Sequence, residues 1–302
     1  MSPCFRRSLW LLLLTGFLVC RAGPARASLT VRDALGRTVA LPGSPARIVS
    51  LAPSITETLY ALGAGDRIVG VTDFCNFPPD AKRKPKVGGV IPNLEAIVAV
   101  HPDLAIAVAT AQSVSLAERL ADLHVPILFV QSRSLTDIYQ SLDLIGRATG
   151  KNREAVRLAE NIRSKLSEVR TKTDGLRRRK VLYLVNLDPP LGVGRDSYLN
   201  DLLEAAGAEN ITGDLPGDYP RISDEAIVGR SPDLILVSEE GTESFSEVKK
   251  AVTRRWPMVD AVKNGAVFPT DRDLFNRPGP RIGDLAAGIA RMIHPEIAGV
   301  DR

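Results

Sequence analysis

The sequence predicts an α/β protein built as two lobes of parallel β/α units held apart by one long helix. Three observations predict it. Glu95-Ala-Ile-Val, followed after three residues by Pro102-Asp103-Leu104, recurs as Glu225-Ala-Ile-Val and Pro232-Asp233-Leu234. A glycine turn is echoed as well, Leu62-Gly63-Ala64-Gly65-Asp66-Arg67-Ile68 beside Ala206-Gly207-Ala208-Glu209-Asn210-Ile211. Between the two copies, Ala155, Leu158, Ile162, Leu166 and Val169 recur at helical spacing. A repeat of strand, helix, Gly turn, short strand, short helix and strand implies parallel sheets.

The elements follow in order. Residues 1–27 read as an export leader: Arg6 and Arg7, an apolar core over 9–19, and Ala25-Arg26-Ala27 as the cleavage site. At about 11 residues the core is too short to span a bilayer. The mature chain is expected to start at Ser28. Lipidation at Cys20 is the alternative, disfavoured because Val19 stands where a small residue is expected. Removing the leader takes four arginines from a net charge of +4, leaving a nearly neutral chain that gives no argument for nucleic acid or an acidic membrane. It also removes Cys4 and Cys20, so Cys75 has no disulfide partner and reads as a small buried hydrophobe.

An N-terminal lobe is expected over 28–134. Ile48-Val49-Ser50-Leu51 is strand-like, and Ser54-Ile55-Thr56-Glu57 has the capping-box pattern, with Gly63 at the helix end. Asn93 and Ser223 are placed to cap the short helices carrying Glu95 and Glu225. A helix over 117–123 and a strand over 126–130 complete the lobe. The linker is expected over 135–178, divided by Gly150 into a shorter helix and a long one over 152–176. Arg177-Arg178-Arg179-Lys180 reads as a solvated helix end with a favourable dipole. The C-terminal lobe, 179–302, opens on the strand-like Lys180–Val185. A stiff helical bridge predicts small opening motions rather than a wide hinge closure.

The composition, 44% hydrophobic and 25% charged, excludes a disordered, collagenous or polytopic membrane chain. Among enzyme classes, H-E-x-x-H, G-x-S-x-G, C-x-x-C and P-loop patterns are all missing. Leu191-Gly-Val-Gly194-Arg-Asp-Ser197 lacks the third glycine of a dinucleotide fingerprint and is expected to line a cleft. His101, His124 and His294 are scattered, so no metal site is expected. No catalytic residue and no cofactor are expected.

Five segments together resemble a known family. They are Arg47-Ile-Val-Ser-Leu-Ala-Pro53-Ser-Ile-Thr-Glu57, Gly70-Val-Thr-Asp-Phe74-Cys-Asn-Phe77-Pro-Pro79, Asn93-Leu-Glu95, Tyr219-Pro-Arg-Ile-Ser223-Asp-Glu225 and Asp273-Leu-Phe-Asn-Arg277-Pro-Gly-Pro-Arg281. The chain resembles the periplasmic substrate-binding proteins of ABC importers, in the class joined by one long helix, which serves cobalamin, haem, ferric siderophores and some metals. The likeness is greatest to its cobalamin binders. It implies Rossmann-like lobes, a ligand cleft between them, a monomer in the periplasm, and delivery to a permease dimer in the inner membrane. Carried over position by position, the cleft would be lined by Pro53, Phe74, Leu191, Tyr219, Asp273 and Arg277. Glu95 and Glu225 would dock to the permease. Two positions that are Trp in cobalamin binders are here Gly89 and Val108, which removes flat stacking area and keeps a haem or ferric siderophore in view.

The residues themselves fit such a cleft. A corrinoid is a broad apolar disc with a rim of amides. It calls for aromatic walls, supplied by Phe74 and Tyr219, and a few polar groups such as Asp273 and the guanidinium fork of Arg277. Arg221 and Arg281 read as structural or solvated. Two equivalent acids at helix starts match a partner with two-fold symmetry.

Overall fold

A computed structural model of the chain describes residues 29–41, 43–238 and 244–299. The leader over 1–27 and Cys20 lie outside the described residues. The chain opens with an antiparallel hairpin, β1 (Leu29–Arg32) and β2 (Thr38–Leu41), which the sequence reading did not anticipate. Asp33 shapes its turn, accepting from the backbone of Leu35 and Arg37 and pairing with the Arg37 guanidinium.

The first lobe runs β3 (Ile48–Ser50), α1 (Pro53–Ala61), β4 (Ile68–Val71), α2 (Leu94–Ala99), β5 (Leu104–Val108), α3 (Ser113–Asp122) and β6 (Ile127–Val130). Its four strands are parallel, in spatial order β4-β3-β5-β6. Two helices follow, α4 (Leu135–Thr149) and α5 (Asn152–Thr173). The second lobe begins β7 (Arg179–Leu187), β8 (Pro190–Gly192), α6 (Tyr198–Ala205), β9 (Ala208–Asn210), α7 (Asp224–Arg230) and β10 (Leu234–Ser238). It ends with α8 (Phe245–Arg255), α9 (Asp260–Lys263), β11 (Val267–Thr270), α10 (Arg272–Phe275) and α11 (Ile282–Ile293). Its parallel strands stand in the order β9-β7-β10-β11. That is the order of the first sheet, with β7 taking the place of β3. The antiparallel β8 is added along the far half of β7.

The repeated motif is structural at its core. Asp103 accepts from the backbone N–H groups of Ala46 and Arg47, and Asp233 from that of Lys180, so each pins the entry to its lobe's first strand. The residues before the two prolines, His101 and Ser231, both take positive φ, +42° and +37°. Asn93 and Ser223 cap α2 and α7 as expected, each accepting from the N–H three residues on.

Four local expectations are corrected. The capping box at Ser54–Glu57 does not form: Pro53 starts α1 at its first helical position, Ala52 is the N-cap, and Glu57 turns away to another partner. Pro at that position needs no N–H, so it outcompetes the serine that follows it. A full capping box forms instead at Ser134 and Asp137, opening α4. The helix expected over 117–123 starts earlier, at Ser113. The long helix ends at Thr173, so the basic run lies beyond it: Arg177 pairs with Asp233, Arg178 donates to the Ala208 carbonyl, and Arg179 and Lys180 begin β7.

α5 is about 33 Å long at 1.5 Å per residue. Gly150, at φ +68°, ends α4 in the left-handed conformation and turns the chain into α5. Both helices serve two cores. Leu144, Ile145, Ala148 and Ala155 pack with the first lobe, whereas Ile138, Leu142, Ile162, Leu166 and Val169 pack with the second.

Candidate functional site

In parallel α/β sheets, ligand surfaces form beyond the carboxyl ends of the strands. Each expected cleft residue lies on such a segment or against one. Pro53 opens α1 just after β3, Phe74 follows β4, and Asp273 lies in α10 just after β11, with Arg277 close behind. Leu191 is in β8 and Tyr219 follows β9.

The structure ties these residues into two groups. The first centres on Arg277, whose side chain is 5% exposed. Its Nη1 donates to Glu57 Oε1 at 3.1 Å and to Asn76 Oδ1 at 2.6 Å. Its Nη2 donates to the Phe74 carbonyl at 3.3 Å and pairs with Asp273 Oδ1 at 2.8 Å. Asn76 Nδ2 in turn donates to Asp273 Oδ2 at 2.6 Å. Beside it, Arg281 meets Glu57 with two bonds of 2.7 Å and lays its guanidinium over the Phe77 ring, 4.2 Å from the centroid. The sequence reading offered the Arg277 fork to a ligand. Here its terminal N–H groups are taken by the protein, which makes Arg277 a tie between the lobes, while the ring of Phe74 stands half exposed. Arg281 is structural, as expected, and Phe77 is packed beneath it.

The second group lies on the other lobe. The Leu191–Gly194 segment zips onto 218–221: Gly192 N–H donates to the Pro220 carbonyl and Gly194 N–H to the Asp218 carbonyl. A side chain at Gly194 would strike the Gly217 carbonyl, so this glycine serves a close backbone approach rather than a phosphate. The zipper holds Tyr219 at the surface, 42% exposed, beside Ser197 at the start of α6. Partial desolvation raises the phenol above its ordinary value, Ser197 works against this, and Asp218 adds to it.

Between the lobes, on the α6 side, runs a crevice of about 540 Å³. Gln131, Arg133 and Asp137 face Arg195, Ser197 and Asp201 across it. Arg133 also bridges the lobes, Nε to Asp218 Oδ1 at 3.1 Å. Arg195 and Ser197 belong to the Leu191–Ser197 segment that was expected to line a cleft; Gln131, Arg133, Asp137 and Asp201 were missed from sequence because no motif joins them to it. Val108 is the last residue of β5, and Gly89 lies in the loop between β4 and α2. The Cβ direction of Gly89 points at the Phe74 ring, 3.6 Å away.

Glu95 and Glu225 occupy the first turns of α2 and α7, on the rim where the strands end. Both are exposed, and among the described residues neither has an ion-pair partner. Cys75 is buried and in no disulfide, with Thr56 and Thr72 hydroxyls 3.1 Å from its sulfur. Among the described residues no cluster of metal-ligating side chains occurs, and no helix is long and apolar enough to cross a membrane.

The chain is similar to a substrate-binding lipoprotein of an ABC transporter from Bacillus subtilis, YvrC, itself uncharacterised, at 34% identity over 88% of this chain and 86% of the relative. It is similar to a vitamin B12-binding protein of Vibrio vulnificus, at 28% identity over 81% of this chain and 89% of that one. Among solved structures, the periplasmic vitamin B12-binding protein BtuF of Vibrio cholerae superposes with a TM-score of 0.70, at 25% identity, covering 83% of this chain and 97% of its own. The family model described as periplasmic binding protein matches residues 48–274. With two like lobes, a helical bridge and a crevice between them, the chain belongs to the periplasmic binding protein family, the substrate-binding components of ABC importers.

Proposed function

We propose that this protein captures cobalamin or a related corrinoid between its lobes and presents it to a permease dimer, with Glu95 and Glu225 docking on two equivalent basic pockets. One observation carries the reading: two exposed glutamates stand at the same position of an internal repeat, each in the first turn of a short helix. Acids in a helix's first turn gain only about 0.3–1 kcal/mol from its dipole. That gain does not call for two of them at matched places of a repeat. A two-fold partner does.

For the ligand, the exposed rings of Phe74 and Tyr219 would offer flat apolar area and Asp273 an acceptor for amides. The similar proteins named for vitamin B12 support the corrinoid. A haem or ferric siderophore is the second reading, favoured by Gly89 and Val108 where stacking rings would stand. Calorimetric titration with cyanocobalamin, haemin and a ferric hydroxamate tests the choice. Tight binding of cyanocobalamin alone is expected. Tight haemin binding without cyanocobalamin binding overturns it. The protein works as a monomer exported by its leader, and gel filtration with N-terminal sequencing of the periplasmic form checks both.

A further inference from the structure

The internal repeat reaches a pair of residues that its obvious motifs do not include. Gly63 and Gly207 are equivalent turns, both left-handed, at φ +69° and +76°. Six residues before them, on α1 and α6, stand Glu57 and Asp201. These are one position of the repeat. Glu57 is gripped by Arg277 and Arg281, from the segment after β11, 220 and 224 residues along the chain. Asp201 Oδ2 accepts the backbone N–H of Leu135, at the start of the helix after β6, at 2.9 Å. β6 and β11 are themselves equivalent, the last strands of the two sheets. Each carboxylate therefore holds the segment that leaves the last strand of the other half.

We infer that Glu57 and Asp201 are a duplicated pair of clasps, one on each flank of the cleft, and that Glu57 is a positioning residue for the cleft walls. A carboxylate 2% exposed inside a helix has no local use for its charge. Replacing a buried ion pair by apolar groups is often neutral or stabilising, so stability alone does not explain it. What the charge does is orient Arg277. With Nη1 fixed on Glu57, the rest of that fork reaches the Phe74 carbonyl and Asn76 on one wall and Asp273 on the other. The two walls are thus indexed to a single carboxylate. Gly279 completes the fit, lying so close to α1 that an added Cβ would sit 3.3 Å from the Ser54 carbonyl. The Asp201 clasp is lighter. It is one bond to a backbone N–H beside the polar crevice, and burial raises the Asp201 carboxyl above its ordinary value. Unequal clasps make the α6 flank the one that yields first. The inference holds for any guest between the walls.

Amide hydrogen exchange on the full chain, without ligand, tests it. Glu57→Gln keeps the shape and removes the charge. Exchange at residues 72–77 and 271–281 is expected to rise at least tenfold while the β3–β6 amides stay unchanged. Asp201→Ala is expected to speed exchange at 131–137 and leave 271–281 as in the parent. Asp201→Asn, which keeps the acceptor oxygen, is expected to change exchange less than threefold. Should Glu57→Gln not fold, Arg281→Met loosens the same clasp from the other lobe, and a rise confined to the same two segments is expected. Acceleration spread evenly over α1 and the first sheet would mark Glu57 as merely structural and overturn its positioning role. Unchanged exchange at 72–77 and 271–281 would do the same, and unchanged exchange at 131–137 in Asp201→Ala would break the pairing.

Discussion

The two flanks of the cleft are built from equivalent parts and finished differently. On the α1 flank, a buried carboxylate meets two guanidiniums with three bonds of 3.1 Å or less. On the α6 flank, the matching carboxylate meets one peptide N–H, and a half-exposed pair, Arg133 and Asp218, supplies the rest. Duplication conserved the geometry of the clasp position and left its chemistry free to diverge. A stiff flank facing a wet one gives a cleft with a fixed edge and a yielding edge.

The rims provide the sharpest test of likeness between the halves. Glu95→Lys and Glu225→Lys are each expected to cut ligand uptake in cells by at least about tenfold, because like charges across an interface cost several kcal/mol. Ligand affinity in solution should stay unchanged. A large loss from only one reversal would break the two-fold reading.

The flanks come next. Glu57→Ala leaves Arg277 and Arg281 facing a void and should cost about 3–5 kcal/mol, read as a fall in the midpoint of denaturant unfolding. Asp201→Ala removes one hydrogen bond and should cost about 0.5–1.5 kcal/mol. Equal costs at the two positions would erase the distinction between the flanks. Arg133→Ala breaks a pair that is 53% and 36% exposed and should cost at most about 1 kcal/mol.

The smallest effect concerns acid. The second lobe has Asp224 where the repeat places Leu94 in the first. Asp224 accepts from Arg255 and from the indole of Trp256, which hold its carboxyl below its ordinary value. A lowered folded pKa gives stability that is present above the unfolded value of about 3.9 and is lost as pH falls through the lower folded one. Acid unfolding should therefore be blunted at its onset in Asp224→Asn relative to the parent, followed by circular dichroism between pH 5 and 2.

Sequence made the β/α order readable because each unit announces itself locally, by a cap, a glycine or a Pro-Asp-Leu entry, and the duplication doubled every signal. The capped helix starts that carry Glu95 and Glu225 were readable for the same reason. Glu57 was not, since Ser-x-x-Glu satisfies a local template while its real partners lie 220 and more residues away. The register of Gly63 against Gly207 was the signal that could have found it. Arg277 was placed at the cleft by resemblance, but the saturation of its fork depends on Asn76 and Asp273 arriving together, which no spacing encodes. The β1–β2 hairpin escaped because its strands are four residues each and cap no repeat.

The two bridging helices have a thermodynamic consequence. Since α4 and α5 contribute side chains to both cores, neither half can melt without stripping packing from its neighbour. The halves should behave as one cooperative unit, with a single calorimetric transition. A gene cut at Gly150 would yield two fragments that each lack a wall of their interior.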